Sequence, residues 1–281
     1  AGSALDCALA LGTIAGHDPR DATSRPEPVG DVLAEAKRPI AGLRIGVAKE
    51  YFPPGVSPEI EKRVRAAIDV YRELGAEVKE VSLPHTRYAN PAYVLISAAE
   101  ASSNLARYDG VHFGYRSEAA GDLSSLYSRS RGEGFGAEVK RRIMIGTFVL
   151  SSGYYDAYYL TALKVRNLIR RDFANAFEEV DAIVSPTSPV PAFPIGERIE
   201  DPLALYAVDV LTVPANLASI PGISIPCGTT SDGLPAGLQI YGRPLEDATV
   251  LRLAHAFQTA TDLHLARPPV RAFDLGEEEN R

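Results

Sequence analysis

Apolar positions along this chain follow two rhythms, one near 3.6 residues and one of two, and the switches between them lay out the elements. Leu5 to Ile14 is a run of short apolar side chains that predicts a helix ended by Gly16. Leu43 to Ala48 predicts a short strand. Beyond Ser57 a helix begins, with Glu59 in its first turn and Ile60, Val64, Ile68 and Tyr71 recurring on one face until Gly75. Glu77 to Leu83 then sets Val78, Val81 and Leu83 among charges, as a strand does. Strand, helix and strand with short joins predict a βαβ unit in a mainly parallel sheet.

The rhythm turns helical from Asn90 to Phe177. Asp181 to Val184 predicts a strand that closes into the proline-rich run Ser185 to Pro194. Ile223 to Ile225 and Ala236 to Tyr241 predict two more strands joined through a turn at Asp232-Gly233. A last helix, Leu245 to Ala260, carries Val250, Leu253, Ala254 and Phe257 on one face. His17 to Pro28 is turn-forming and reads as a surface loop, and 270–281 reads as a frayed, charged tail. The expected class is α/β: a single unit over 1–281 with a mixed central sheet layered between helices.

Composition narrows the function more than the fold. With 281 residues, 46% hydrophobic and 23% charged, the chain has the make-up of a globular protein. A net charge of −7 opposes broad binding to phosphate backbones. No apolar run approaches the roughly 18 residues of a membrane span, and no signal peptide is visible, so a cytoplasmic location is expected. Cys7 and Cys227 stand too far from each other and from histidines to suggest a disulfide framework or a zinc site. The chain opens at Ala1 and its single methionine is Met144. It therefore reads as part of a longer protein, and strand edges and apolar surface are expected to lie uncovered.

Standard catalytic motifs are missing. There is no G-x-S-x-G elbow, no H-E-x-x-H, no phosphate-binding glycine loop. The five histidines (His17, His85, His112, His255 and His264) are scattered and read as surface or helix-end residues. Cys227 reads as a small apolar filler, and Ser151-Ser152-Gly153 as small residues that let helices pack closely. The tyrosines Tyr154, Tyr155, Tyr158 and Tyr159 read as a packed seam. Two charges resist such readings. Arg141 and Arg142 lie beside Met144, Ile145 and Phe148, so one of them is expected to point inward, and a buried cation needs a carboxylate. Asp209, set in the apolar run Leu205 to Leu211, is expected to face inward and raises the mirror question. Either the two charges form a structural pair, or a ligand that carries both, such as an α-amino acid, partners each.

At these residues the chain resembles a known family. Glu138-Val139-Lys140-Arg141-Arg142-Ile143, Gly146-Thr147, and Ser151 to Tyr159 are similar to the central stretch of the A subunits of the Glu-tRNA(Gln)/Asp-tRNA(Asn) amidotransferase, within the amidase signature family. So are Glu100 to Leu105, Tyr108-Asp109-Gly110 and Val184 to Thr187. Pro221 to Gly228 and Gly237-Leu238-Gln239 resemble the wider family.

The resemblance implies a mixed sheet sandwiched by helices, and an enzyme that hydrolyses glutamine and passes ammonia to a partner subunit. In that family a serine nucleophile works with a second serine and a lysine, in a Gly/Ser-rich signature upstream of the stretch matched here. No such segment exists in these residues, so no catalytic residue is assigned and the chain alone is expected to be inactive. What carries over is recognition. Arg142 matches the arginine for the substrate α-carboxylate, Asp209 the aspartate for the α-ammonium, and Tyr93 a tyrosine of the glutamine pocket; Val94 stands where the family often has a second tyrosine. The implied partners are the B and C subunits and, mainly through them, aminoacyl-tRNA. ATP and Mg belong to a partner subunit, and this chain itself needs no cofactor or metal. An amidase of the same family acting on another amide, and a non-catalytic amino-acid-binding or scaffold module, are the alternatives.

Overall fold

The computed structural model describes residues 1–119, 121–197, 205 and 207–267; the tail expected at 270–281 lies outside the described residues. Its frame is a five-stranded sheet: β1 (Arg44–Ala48), β2 (Glu77–Val81), β3 (Ala182–Pro186), β4 (Gly222–Thr229) and β5 (Pro235–Gly242). The strand order is β2-β1-β3-β5-β4. β1 runs parallel to β2 and β3, while β5 runs antiparallel to both β3 and β4. The sheet is therefore mixed, as the sequence predicts. Among the described residues β2 and β4 are its two outer strands. The register of β4 against β5 shifts between Pro226 and Gly228, a β-bulge.

Helices cover both faces. On one side lie α1 (Ala4–Ile14), α2 (Val32–Ala36), α3 (Pro58–Glu73) and α9 (Asp247–Thr261). Their inward residues, including Ala8, Ile60, Val64, Tyr71, Leu253 and Phe257, pack on Ile45, Ala182, Val184, Leu238 and Ile240 of the sheet. On the other side are α4 (Ala89–Asn104), α7 (Thr161–Glu179) and α8 (Val213–Ala218), packed on Ala48, Ile183 and Tyr241. The two-residue alternation of the strands thus feeds two separate cores. α5 (Leu123–Gly134) and α6 (Ala137–Val149) follow α4 in sequence, and α6 packs against α4. Among the described residues no helix is long and apolar enough to cross a membrane.

The join between the parallel and antiparallel halves is pinned by charge. Asp181, just before β3, accepts hydrogen bonds from the Arg44 backbone N–H and guanidinium and from Arg243, with Arg44 Nη2 at 2.7 Å and Arg243 Nη2 at 3.0 Å. Chiefly through its hydrogen bonds to Arg44, the carboxyl is held down at about 2. A second clamp ties the β2–α4 connection to α7: the backbone N–H and Nδ1 of His85 meet the buried carboxylate of Asp172 at 2.8 and 2.9 Å. His85 is therefore a half-buried structural partner, which its sequence neighbourhood does not announce.

Two readings of small residues change. Ser151-Ser152-Gly153 is a turn between α6 and α7, with Gly153 at φ 84°, because helical backbone cannot pass a residue in that region. The glycine that permits close helix packing is Gly146: a Cβ there would overlap the Ala98 carbonyl of α4. Cys227 fills the core as expected, and burial pushes its thiol up to about 12.

Candidate functional site

The α4–α6 crossing positions the first two recognition candidates. Arg142 projects from the middle of α6 and Tyr93 from the first turns of α4, and Arg142 Nη1 lies 3.4 Å from the Tyr93 hydroxyl. Both side chains are half-buried. The crossing is close because Gly146, one helical turn beyond Arg142, has no side chain to hold α4 away.

Of the two neighbouring arginines, Arg142 is the inward one and Arg141 the exposed one. Glu138 reaches both from the first turn of α6. Its carboxylate accepts from Arg142 Nε at 3.0 Å, at i,i+4 spacing, and pairs with Arg141 at i,i+3. A carboxylate partner for Arg142 thus exists within its own helix. Nothing in the apolar pattern singles it out, although the i,i+4 spacing is visible in the sequence.

Asp209 stands otherwise. It is exposed, and so are Leu205 and Ala207 in the same run, while Val208 and Val210 are half-buried and, among the described residues of the run, only Leu211 is fully covered. The inward carboxylate expected from the apolar surroundings is corrected: most of this run lies over the protein's surface, so apolar neighbours in sequence do not enclose the charge. The Asp209 carbonyl accepts from the Thr212 and Val213 N–H groups at 3.0 and 3.1 Å, which makes the turn that launches α8. α4 packs against α8 as well as α6, so Tyr93, Arg142 and Asp209 belong to elements that share α4 as a common neighbour.

Beside the Asp209 turn is a cavity of about 450 Å³ lined by Val208, Thr187, Ser188, Phe193, Ser224 and Gly237 among others. Its polar wall is the Thr187–Ser224 hydroxyl pair, 2.7 Å apart. Gly237 makes that pair possible, since a Cβ at this position would sit 2.8 Å from the Thr187 hydroxyl and 3.0 Å from that of Ser224. Below, two side chains of β5 reach up to the same loop: Gln239 Nε2 and the Tyr241 hydroxyl both donate to the Leu211 carbonyl. Neither residue is singled out by the sequence, where Gln239 is only part of a family block and Tyr241 only a strand position.

The tyrosine seam is real as a stack but lies at the surface. Phe148 meets Tyr154 with ring centroids 4.3 Å apart, and Tyr154 meets Tyr158 at 5.8 Å. A stretch of π-helix, Tyr155–Leu160, leads into α7 and sets these rings.

A profile of the family described as Amidase matches residues 1–251. The chain belongs to the amidase family. Over 265 residues it is 56% identical to the A subunit of the glutamyl-tRNA(Gln) amidotransferase of Myxococcus xanthus, covering 94% of this chain and 54% of that protein. The protein of the same name from Chloroflexus aggregans is 55% identical, with the same two coverages. Among solved structures, the A subunit of this amidotransferase from Thermotoga maritima superposes with a TM-score of 0.72 at 38% identity, covering 92% of this chain and 51% of that one. A bacterial aryl acylamidase shares the fold, with a TM-score of 0.70 at 23% identity over 95% of this chain and 54% of that one. The chain spans about half the length of the curated relatives it matches.

Proposed function

We propose that this chain is the glutamine-recognising part of a glutaminase subunit in a tRNA-dependent amidotransferase. Arg142 takes the α-carboxylate of glutamine, Tyr93 lines the pocket beside it, and Asp209 takes the α-ammonium. A planar guanidinium suits the first task because it offers parallel N–H donors that match both oxygens of a carboxylate. On this reading the ammonium end of the ligand faces the open side of the turn before α8, where Asp209 is exposed.

The nucleophile and its proton relay come from residues outside this sequence, so the chain alone does not hydrolyse glutamine. Ammonia passes to a partner subunit that holds ATP, Mg and most of the aminoacyl-tRNA, which accords with the acidic net charge of −7 here.

One observation carries the reading. The half-buried guanidinium of Arg142 meets the Tyr93 hydroxyl across a glycine-tightened crossing, in a chain 56% identical to a protein named for glutamyl-tRNA(Gln) amidation. The test is Arg142→Gln in the full-length protein. Losing a charge-assisted pair should raise KM for glutamine on the order of 10- to 100-fold while an amide without a carboxylate is hydrolysed as before. An unchanged KM for glutamine would overturn the reading.

A further inference from the structure

The Leu211 carbonyl, near the candidate site, is held by side chains of the sheet rather than by its own turn. It is buried with its residue, which is 4% exposed, and it receives two side-chain donors from the sheet beneath: Gln239 Nε2 at 3.1 Å and the Tyr241 hydroxyl at 2.5 Å. A carbonyl oxygen has two lone pairs, and here each meets a donor.

Those donors are themselves held rigidly. Gln239, 6% exposed, also donates to the Ser185 hydroxyl at 3.3 Å, and Ser185 in turn donates to the Pro186 carbonyl. Tyr241 is 1% exposed, with the Tyr51 ring 6.2 Å away and the Phe173 ring 5.9 Å away, both edge-on. Leu211 lies two residues after Asp209, inside the turn in which the Asp209 carbonyl binds the Thr212 and Val213 N–H groups and the Thr212 hydroxyl. Movement of the Leu211 peptide therefore carries the Asp209 backbone, from which the carboxylate projects, because the short hydrogen-bonded turn leaves little freedom between the two peptides.

We propose that Gln239 and Tyr241 are positioning residues for Asp209: by holding the Leu211 carbonyl from β5 they fix where the aspartate meets the substrate's α-ammonium, and so set the preference for an α-amino acid amide. The proposal rests on the reading of Asp209 as the ammonium partner. It accounts for two polar side chains buried on the sheet face that Ser185 shares with apolar and aromatic groups, both donating to one carbonyl.

The experiment compares two substrates in the full-length protein: glutamine and its des-amino analogue, which keeps the carboxylate and the side-chain amide but lacks the α-ammonium. Tyr241→Phe keeps the packed ring and removes one donor; Gln239→Leu removes the other. Each should lower the ratio of kcat/KM for glutamine to that for the analogue by about tenfold, chiefly through KM for glutamine, and the double variant should lower it further. A purely structural role would depress both substrates together and leave the ratio intact, and that result overturns the proposal. If Gln239→Leu fails to fold, Tyr241→Phe decides. Asp209→Ala separates the two claims. A ratio that collapses in Asp209→Ala but survives in Tyr241→Phe sinks the positioning role alone, whereas a ratio unchanged in Asp209→Ala sinks the ammonium reading and this inference with it.

Discussion

The two faces of the sheet are built by different rules. The face under α1, α3 and α9 is closed by aliphatic and aromatic side chains such as Val64, Tyr71, Leu253 and Phe257. The face under α4, α7 and α8 mixes an apolar core with buried polar groups: Ser185, Gln239 and the clamp between His85 and Asp172. Every recognition candidate projects from that second side. The buried polar contacts of the first face join helix to helix, Gln258 accepting from the Ala4 N–H and the Tyr71 hydroxyl donating to the Leu253 carbonyl, whereas the second face carries donors and acceptors on the sheet itself and a helix crossing without side-chain bulk.

Substitutions can break this contrast. Leu253→Ala, at a fully buried position of the apolar face, should cost about 2–5 kcal/mol through lost burial and a residual cavity. Urea unfolding measures it, and glutamine discrimination in the full-length protein should not change. On the other face Gly146→Ala should cost less, about 1–3 kcal/mol by overpacking. It should nonetheless raise KM for glutamine, because α6 must move off the Ala98 carbonyl and takes Arg142 with it. A Gly146→Ala protein with unaltered KM would show that the crossing does not set the guanidinium. The smallest effect belongs to Asp181. Its folded carboxyl titrates near 2, below the roughly 4 of an unfolded aspartate, so its contribution is complete above about pH 5 and fades as pH falls toward 2. Allowing for solvent screening around the one-third-exposed Arg44, that contribution is about 1 kcal/mol. The Asp181→Asn variant should flatten the acid limb of stability measured against pH.

The same contrast governs what the sequence makes legible. Periodicity finds α3, α9, β1 and β5 to within a few residues, because the helices bury one apolar face and the strands run between two largely apolar cores. It also places Cys227 correctly as filler. It does not find the partners of Asp172 or the Leu211 carbonyl, which lie 87 and 28 or 30 positions away along the chain. Apolar context misleads at Asp209, where flanking residues drape over the surface, and at Gly153, whose backbone conformation ends the helical run. Arg142 lies between these cases. That one of Arg141 and Arg142 aims inward follows from their apolar neighbours, and the family resemblance singles out Arg142, but that Arg142 is the inward one and is tied to Glu138 emerges only when the helix is built.

The bulge in β4 has a consequence for self-association. An outer strand invites foreign backbone to add to it, and the first run of unbroken register here extends from Gly222 to Pro226. At Pro226 the chain offers no amide hydrogen, and the register slip before Gly228 turns the following peptides away from a flat template. Along β4 the addition of a foreign strand is therefore hindered by a proline and one extra residue.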